Sequence, residues 1–209
     1  MRPAALLFDF NGTLSDDEHI QCEIYREIFA EAGKPLGETE YFAQLAGLSD
    51  PEIVRAWLGE ERPELVAERV SRFQARAADG STVGSAARQA VRYAAKRAQL
   101  AVVSGAARVE IETVLLAAGL APLVSLVVAA EDVAVGKPDP AGYIRALELL
   151  ERRPDEALAF EDSEAGVAAA KAADLYCIAL EGTVDVDRLA AADEIVGALG
   201  VELMRRLLG

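Results

Sequence analysis

Basic residues are scarce. The 209-residue chain holds 21 Lys and Arg against 35 Asp and Glu, a net charge of −14. A nucleic-acid surface needs a basic footprint, and anionic membranes recruit one, so neither partner is expected. A local cation or a metal can still admit an anionic substrate. Cysteine is nearly absent: Cys22 and Cys177 each sit in an apolar stretch, and histidine occurs once, at His19. With no Cys-x-x-Cys or His-Glu-x-x-His pattern, a structural zinc site is excluded, and two buried thiols in a reducing cytosol are the reading. Long apolar runs are missing too. No stretch has the length of a membrane span, and the first ten residues meet Asp9 too soon for a signal-peptide core. The expectation is a soluble cytoplasmic protein. There is no internal repeat and no low-complexity tract.

What is present is an ordered, core-forming composition, with 52% apolar and 27% charged residues. Ala4–Phe8 is a short apolar run ending in Asp9, the pattern of a strand buried on both faces. Ser15-Asp16-Asp17-Glu18 has the spacing of a capping box, and Ile20, Ile24, Ile28 and Ala32 predict one apolar helical face that stops at Gly33 and Pro35. From Thr39 to Ala78 only helical periodicity is found, broken at Gly47–Pro51 and Gly59–Pro63. Beyond Asp79-Gly80-Ser81 the pattern alternates. Helices over Thr82–Ala98, Ala107–Ala118, Ala141–Glu151 and Gly166–Ala172 lead into strands over Leu100–Val103, Leu123–Ala129, Ala157–Phe160 and Leu175–Leu180. A short helix near Val186–Ala191, a small strand at Ile195–Val196 and a helix over Leu199–Leu208 close the chain. Such alternation predicts a doubly wound parallel α/β sheet, with residues 1–15 and 80–209 as the core domain and 16–79 as an inserted all-helical domain.

Ligands of an open parallel sheet bind beyond the carboxyl ends of its strands. There the sequence places Asp9-Phe10-Asn11-Gly12-Thr13, Ser104-Gly105-Ala106, Gly136-Lys137-Pro138 and Glu161-Asp162-Ser163. Carboxylates, hydroxyls, glycine amides and one lysine therefore meet at one sheet edge.

These four segments resemble, in order, the motifs of the haloacid dehalogenase superfamily, in the branch with a helical cap that includes phosphoglycolate phosphatase and β-phosphoglucomutase. Asp9–Leu14 resembles the D-x-D-G-T-L motif, Val103–Gly105 the second, Gly136–Pro140 the lysine motif and Phe160–Gly166 the acidic one. The resemblance implies a Mg²⁺-dependent phosphatase acting on a small phosphorylated metabolite through an aspartyl-phosphate. It implies Asp9 as nucleophile. It implies Asp9, Asp162 and the backbone carbonyl of Asn11 as metal ligands, with Glu161 supporting metal-bound water. Gly12, Thr13, Ser104, Gly105 and Ala106 would bind phosphoryl oxygens, and Lys137 would neutralise developing charge. The loop Ala46–Asp50 would close over the substrate, with Ser49 and Asp50 as specificity candidates.

One departure matters. The second aspartate of the first motif is Asn11, and in phosphatases of the family that aspartate protonates the leaving oxygen and then activates water. An amide cannot exchange a proton near neutral pH, and that exchange is worth ~10²–10⁴-fold. Turnover of ordinary esters is expected to be slowed, and good leaving groups to suffer less. The alternatives are a phosphometabolite-binding protein that has lost catalysis and a dehalogenase-type hydrolase; the Glu161-Asp162 pair speaks against the latter. Asp50 stands where mutases of the family carry a basic residue, which argues against a bisphosphate substrate. His19 reads as an exposed residue, Gln21 lies near a position often occupied by a cap histidine, and Trp57 reads as core. Asp16-Asp17-Glu18 reads as acid favouring a helix dipole, and Arg88, Arg92 and Lys96 as a solvated face.

Overall fold

A computed structural model describes residues 3–209; residues 1 and 2, the start of the expected core domain, lie outside the described residues. Six strands form one all-parallel sheet: β1 (Ala5–Phe8), β2 (Gln99–Val103), β3 (Leu126–Val128), β4 (Ala157–Glu161), β5 (Tyr176–Leu180) and β6 (Glu194–Val196), in the order β3-β2-β1-β4-β5-β6. The run Ala5–Phe8 is apolar at every position because β1 lies mid-sheet and both its faces are covered. Leu6 and Phe8 point to one side, where Phe8 stacks on Phe160 at 4.7 Å. Ala5 and Leu7 point to the other, against Tyr143, Ala146 and Val167.

The helices that cover the first face include α5 (Ser85–Ala94), α6 (Arg108–Ala117) and α9 (Val201–Leu208), and the second face is covered by α7 (Ala141–Leu150) and α8 (Glu164–Ala172). Between β1 and α5 the chain runs through four helices and no strand: α1 (Glu18–Glu31), α2 (Glu38–Gln44), α3 (Asp50–Leu58) and α4 (Pro63–Ala77). Gly59 ends α3 in a left-handed conformation, and Pro63 opens α4. Among the described residues no helix is long and apolar enough to cross a membrane.

Several local expectations change. Ser15 does not cap a helix. Its hydroxyl donates to Thr82 Oγ1 at 2.7 Å, and Asp16 N donates to Thr82 O at 2.9 Å, so the two chain segments flanking the helical insert are tied together and α1 begins only at Glu18. The buried face of α1 is Gln21, Cys22, Ile24, Tyr25, Ile28 and Phe29, rotated from the isoleucine repeat because two aromatic rings fill the space beneath it; Ala32 is exposed. The stretch expected as a strand over Leu123–Ala129 begins as a 3₁₀ turn at Ala121–Leu123, where Pro122 withholds a ladder donor, and leaves three residues of strand. Arg88 is not a solvated face residue. Its guanidinium donates to the carbonyls of Val83, Gly80 and Ala118, fastening the loop before α5 to the end of α6. Leu48, within the expected break at Gly47–Pro51, is 37% exposed in the loop before α3. Both cysteines are free and buried.

Candidate active site

The end of β1 delivers Asp9 and the end of β4 delivers Glu161 and Asp162. Their registers are adjacent, with Phe8 opposite Phe160, so three carboxylates emerge side by side. One oxygen from each lies within 4.8 Å of the others. Water is excluded here: Glu161 is 0% exposed and Asp162 is 3%. Three buried like charges are costly, and the protein answers with one cation. Lys137 Nζ reaches Asp9 Oδ1 and Glu161 Oε1, each at 2.5 Å, and the Tyr143 hydroxyl donates to the same Glu161 oxygen at 2.5 Å. Burial works to lower the Lys137 pKa, but the charges of Asp9 and Glu161 outweigh it and hold the ammonium firmly protonated. Burial pushes Glu161 up to about 7 against the pull of Lys137, and burial with the charges of Asp9 and Glu161 raises Asp162 well above the usual carboxylate range. Glu161 Oε2 has no hydrogen-bond partner. An orphaned buried carboxylate oxygen in an all-oxygen donor set fits a hard divalent cation.

Gly12 explains how the loop after β1 passes this cluster. Its φ is +73°, and a Cβ there would sit 1.8 Å from Asp162 Oδ2 and 2.5 Å from Thr183 Oγ1. Thr13 is buried beside it, and its hydroxyl donates to Asp162 Oδ1 at 3.4 Å. Across the cleft, Gly47 has φ +85° and brings the loop before α3 against Ser163, where a Cβ would approach Ser163 Cβ to 2.8 Å.

The cleft between sheet edge and helical insert is lined by Asp9, Asn11, Ser49, Asp50, Ser104, Gly105, Ala106, Lys137 and Asp162 among the expected residues. Gly12, Thr13 and Glu161 stand behind this wall rather than on it. Ser104 Oγ accepts from Ala106 N at 3.2 Å, which turns the backbone at the end of β2. The cleft has a volume of about 90 Å³. Asn11 does not point freely into it: Nδ2 donates to both oxygens of Asp17, each at 3.1 Å. Asp17 is fully buried, and desolvation raises its pKa well above normal despite the hydrogen bonds from Asn11. Ascribing Asp17 to a helix dipole therefore misses its main contact.

Sequence reasoning also passed over Arg69 and Tyr41 and read Glu18 only as an acid favouring the helix dipole, although all three line the cleft. Arg69, on α4, is 1% exposed and ion-paired with both Asp50 of α3 and Glu110 of α6. The Tyr25 hydroxyl donates to Asp50 at 2.7 Å. Burial pushes Glu110 up to about 7 in spite of Arg69. The available signal was an arginine four residues from both Leu65 and Phe73, on the apolar face of its helix.

Residues 3–174 match the family model of the haloacid dehalogenase-like hydrolases. The chain belongs to that family. This haloacid dehalogenase-like hydrolase is 30% identical over 207 residues to validoxylamine A 7'-phosphate phosphatase of Streptomyces hygroscopicus subsp. limoneus, covering 91% of each chain. It is 30% identical over 175 residues to the phosphorylated carbohydrates phosphatase of Thermotoga maritima, covering 81% of each. Among solved structures it superposes on an aspartate-to-asparagine mutant of CbbY from Rhodobacter sphaeroides in complex with xylulose 1,5-bisphosphate, with a TM-score of 0.86, 28% identity and 96% of each chain covered. The hydrolase family and its fold follow for this chain.

Proposed function

We propose that the protein is a Mg²⁺-dependent phosphatase of a sugar-like monophosphate, working through an aspartyl-phosphate on Asp9. The observation that carries this reading is the cluster of Asp9, Glu161 and Asp162 bridged by Lys137 at the mouth of the sheet. Asp9, Asp162 and the carbonyl of Asn11 would hold Mg²⁺, with Glu161 outside them; the ion supplies charge neutralisation for the phosphoryl oxygens. Asp9 attacks phosphorus as the leaving oxygen departs on the opposite side. Lys137 stays protonated throughout, offsetting negative charge, and the turn at Ser104-Gly105-Ala106 would offer the Gly105 N–H and the Ser104 hydroxyl to the phosphoryl group.

The remainder of the substrate would face Asp50, Ser49, Gln21, Glu18 and Tyr41. Arg69 is the cation on this wall, and it is already neutralised by two carboxylates. A second phosphate would find no unpaired partner, whereas sugar hydroxyls would find several acceptors. This supports a monophosphate, in contrast to the bisphosphate bound by the CbbY mutant. Residues 16–79 would act as a lid over this cleft that opens for entry and closes to shed water.

The test is phosphate release from sugar monophosphates, phosphoglycolate and acetyl phosphate, with Mg²⁺ and with EDTA. Release that needs Mg²⁺ and disappears in Asp9→Asn is the expected result. Asn11 favours one rival, a phosphometabolite-binding protein without turnover. Substrate binding with no release from any phosphate, acetyl phosphate included, would establish that rival.

A further inference from the structure

Hydrolysis at this site leaves a proton to be delivered and later collected, and Asn11 can do neither. We propose that Glu18 is the general acid and base of this chain. The proposal rests on the aspartyl-phosphate reading above.

Glu18 opens α1 and stands on the same cleft wall as Asp9, Lys137 and Asp162. Its Oε1 accepts the Tyr41 hydroxyl at 2.7 Å, which fixes the carboxyl. Among the described residues no other hydrogen bond reaches it, so its second oxygen is uncommitted on the wall of the cleft. Asn11, by contrast, is held by Asp17 through both oxygens of that carboxylate. The position that would ordinarily transfer the proton is thus occupied by an amide turned aside, and a different carboxyl lines the same cleft.

The groups around Glu18 have opposing effects. Burial raises its pKa, the hydrogen bond from Tyr41 lowers it, Asp9 and Asp50 raise it and Arg69 lowers it. Asp162 and Asp17 are also within reach of its charge. The net direction is upward, which favours the protonated form that a general acid needs. In the first step Asp9 forms an O–P bond, the ester O–P bond breaks, and the leaving oxygen takes the proton of Glu18. In the second, water attacks the phosphorus of the aspartyl-phosphate and passes a proton to the Glu18 carboxylate. Asp9 leaves as a carboxylate, and inorganic phosphate is released. The atoms and charges balance without a further reactant.

The experiment compares the full-length chain with Glu18→Gln and Glu18→Asp on two substrates, a sugar monophosphate with a poor leaving group and p-nitrophenyl phosphate with a good one. The value of kcat/KM reports phosphorylation of the enzyme. Glu18→Gln is expected to lower it ~10²–10³-fold for the sugar phosphate and less than ~5-fold for the nitrophenyl ester. The Gln variant should lose the fall in kcat/KM toward high pH that marks an essential acid, and show a burst of p-nitrophenolate followed by slow turnover. Partial recovery in Glu18→Asp, with unfolding temperatures unchanged, completes the expected pattern. Equal losses on both substrates with an unaltered pH profile, or a change in KM alone, would overturn the proposal and make Glu18 a ligand for substrate hydroxyls. Silence of the unsubstituted chain on both esters and on acetyl phosphate would instead overturn the phosphatase reading itself.

Discussion

Replacing Arg69 by Met tests the account of the cleft wall most directly. The guanidinium is 1% exposed and compensates two carboxylates, Asp50 from the helical insert and Glu110 from α6, which is 1% exposed. Methionine fills much of the volume but leaves both acids without a partner. Breaking a buried pair from one side costs about 3–5 kcal/mol, because the remaining charge is stranded. In a chain of this length that is a fall of ~6–20 °C in unfolding temperature, at ~2–4 °C per kcal/mol. The loss must depend on pH. Glu110 is already pushed up to about 7 with Arg69 present, and removing Arg69 raises it further. A raised carboxyl holds its proton more tightly when folded, so stability falls as pH rises from the unfolded pKa near ~4 through the folded value. Urea unfolding at pH 5 and pH 8 should therefore show the larger deficit at pH 8. Adding Asp50→Asn and Glu110→Gln to the same chain should recover most of it. A deficit below ~1 kcal/mol at pH 8, or one equal at both pH values, would refute the buried triad as described.

Two other substitutions follow from the geometry. Asn11→Asp places a second acid against Asp17 where two hydrogen bonds now stand, so it should cost ~1–3 kcal/mol, more at pH 8 than at pH 5 by the same sign argument, read by thermal unfolding. If Glu18 transfers the proton, Asn11→Asp should change kcat/KM for a sugar phosphate by less than ~10-fold; a gain of ~100-fold would show a muted site instead. Gly12→Ala drives a methyl into Asp162 and Thr183 at positive φ, so metal affinity measured by titration calorimetry should fall at least ~10-fold, and unchanged affinity would refute the close approach.

The sheet was legible because its strands are short apolar runs buried on both faces, a pattern carried by Ala5–Phe8 and Leu100–Val103 without outside help. The polar residues at their carboxyl ends followed from the topology of parallel sheets, and so did the meeting of Asp9, Lys137 and Asp162. What escaped were residues away from the strand ends whose partners are remote in sequence. Ser15 had the spacing of a cap, but its hydroxyl is taken by Thr82, 67 residues on. Arg88 had the spacing of a surface stripe, yet it bonds three carbonyls of neighbouring loops. Arg69 and Glu110 are 41 residues apart, and nothing local marks either as half of a buried pair. Local patterns report propensity and periodicity; the satisfaction of buried polar groups is decided by tertiary neighbours.

The place of β1 at the centre of the sheet has a consequence for how the protein is made. Of the two ladder partners of Phe8, Phe160 is synthesised some 150 residues later. At ~5–20 residues per second the strand waits ~8–30 s with an apolar edge unpaired. During that interval α1 through α4 are already complete, and their contacts lie close together along the chain. Nascent chains arrested before β4 should therefore present a folded helical segment joined to an exposed hydrophobic strand, the kind of intermediate on which chaperones act.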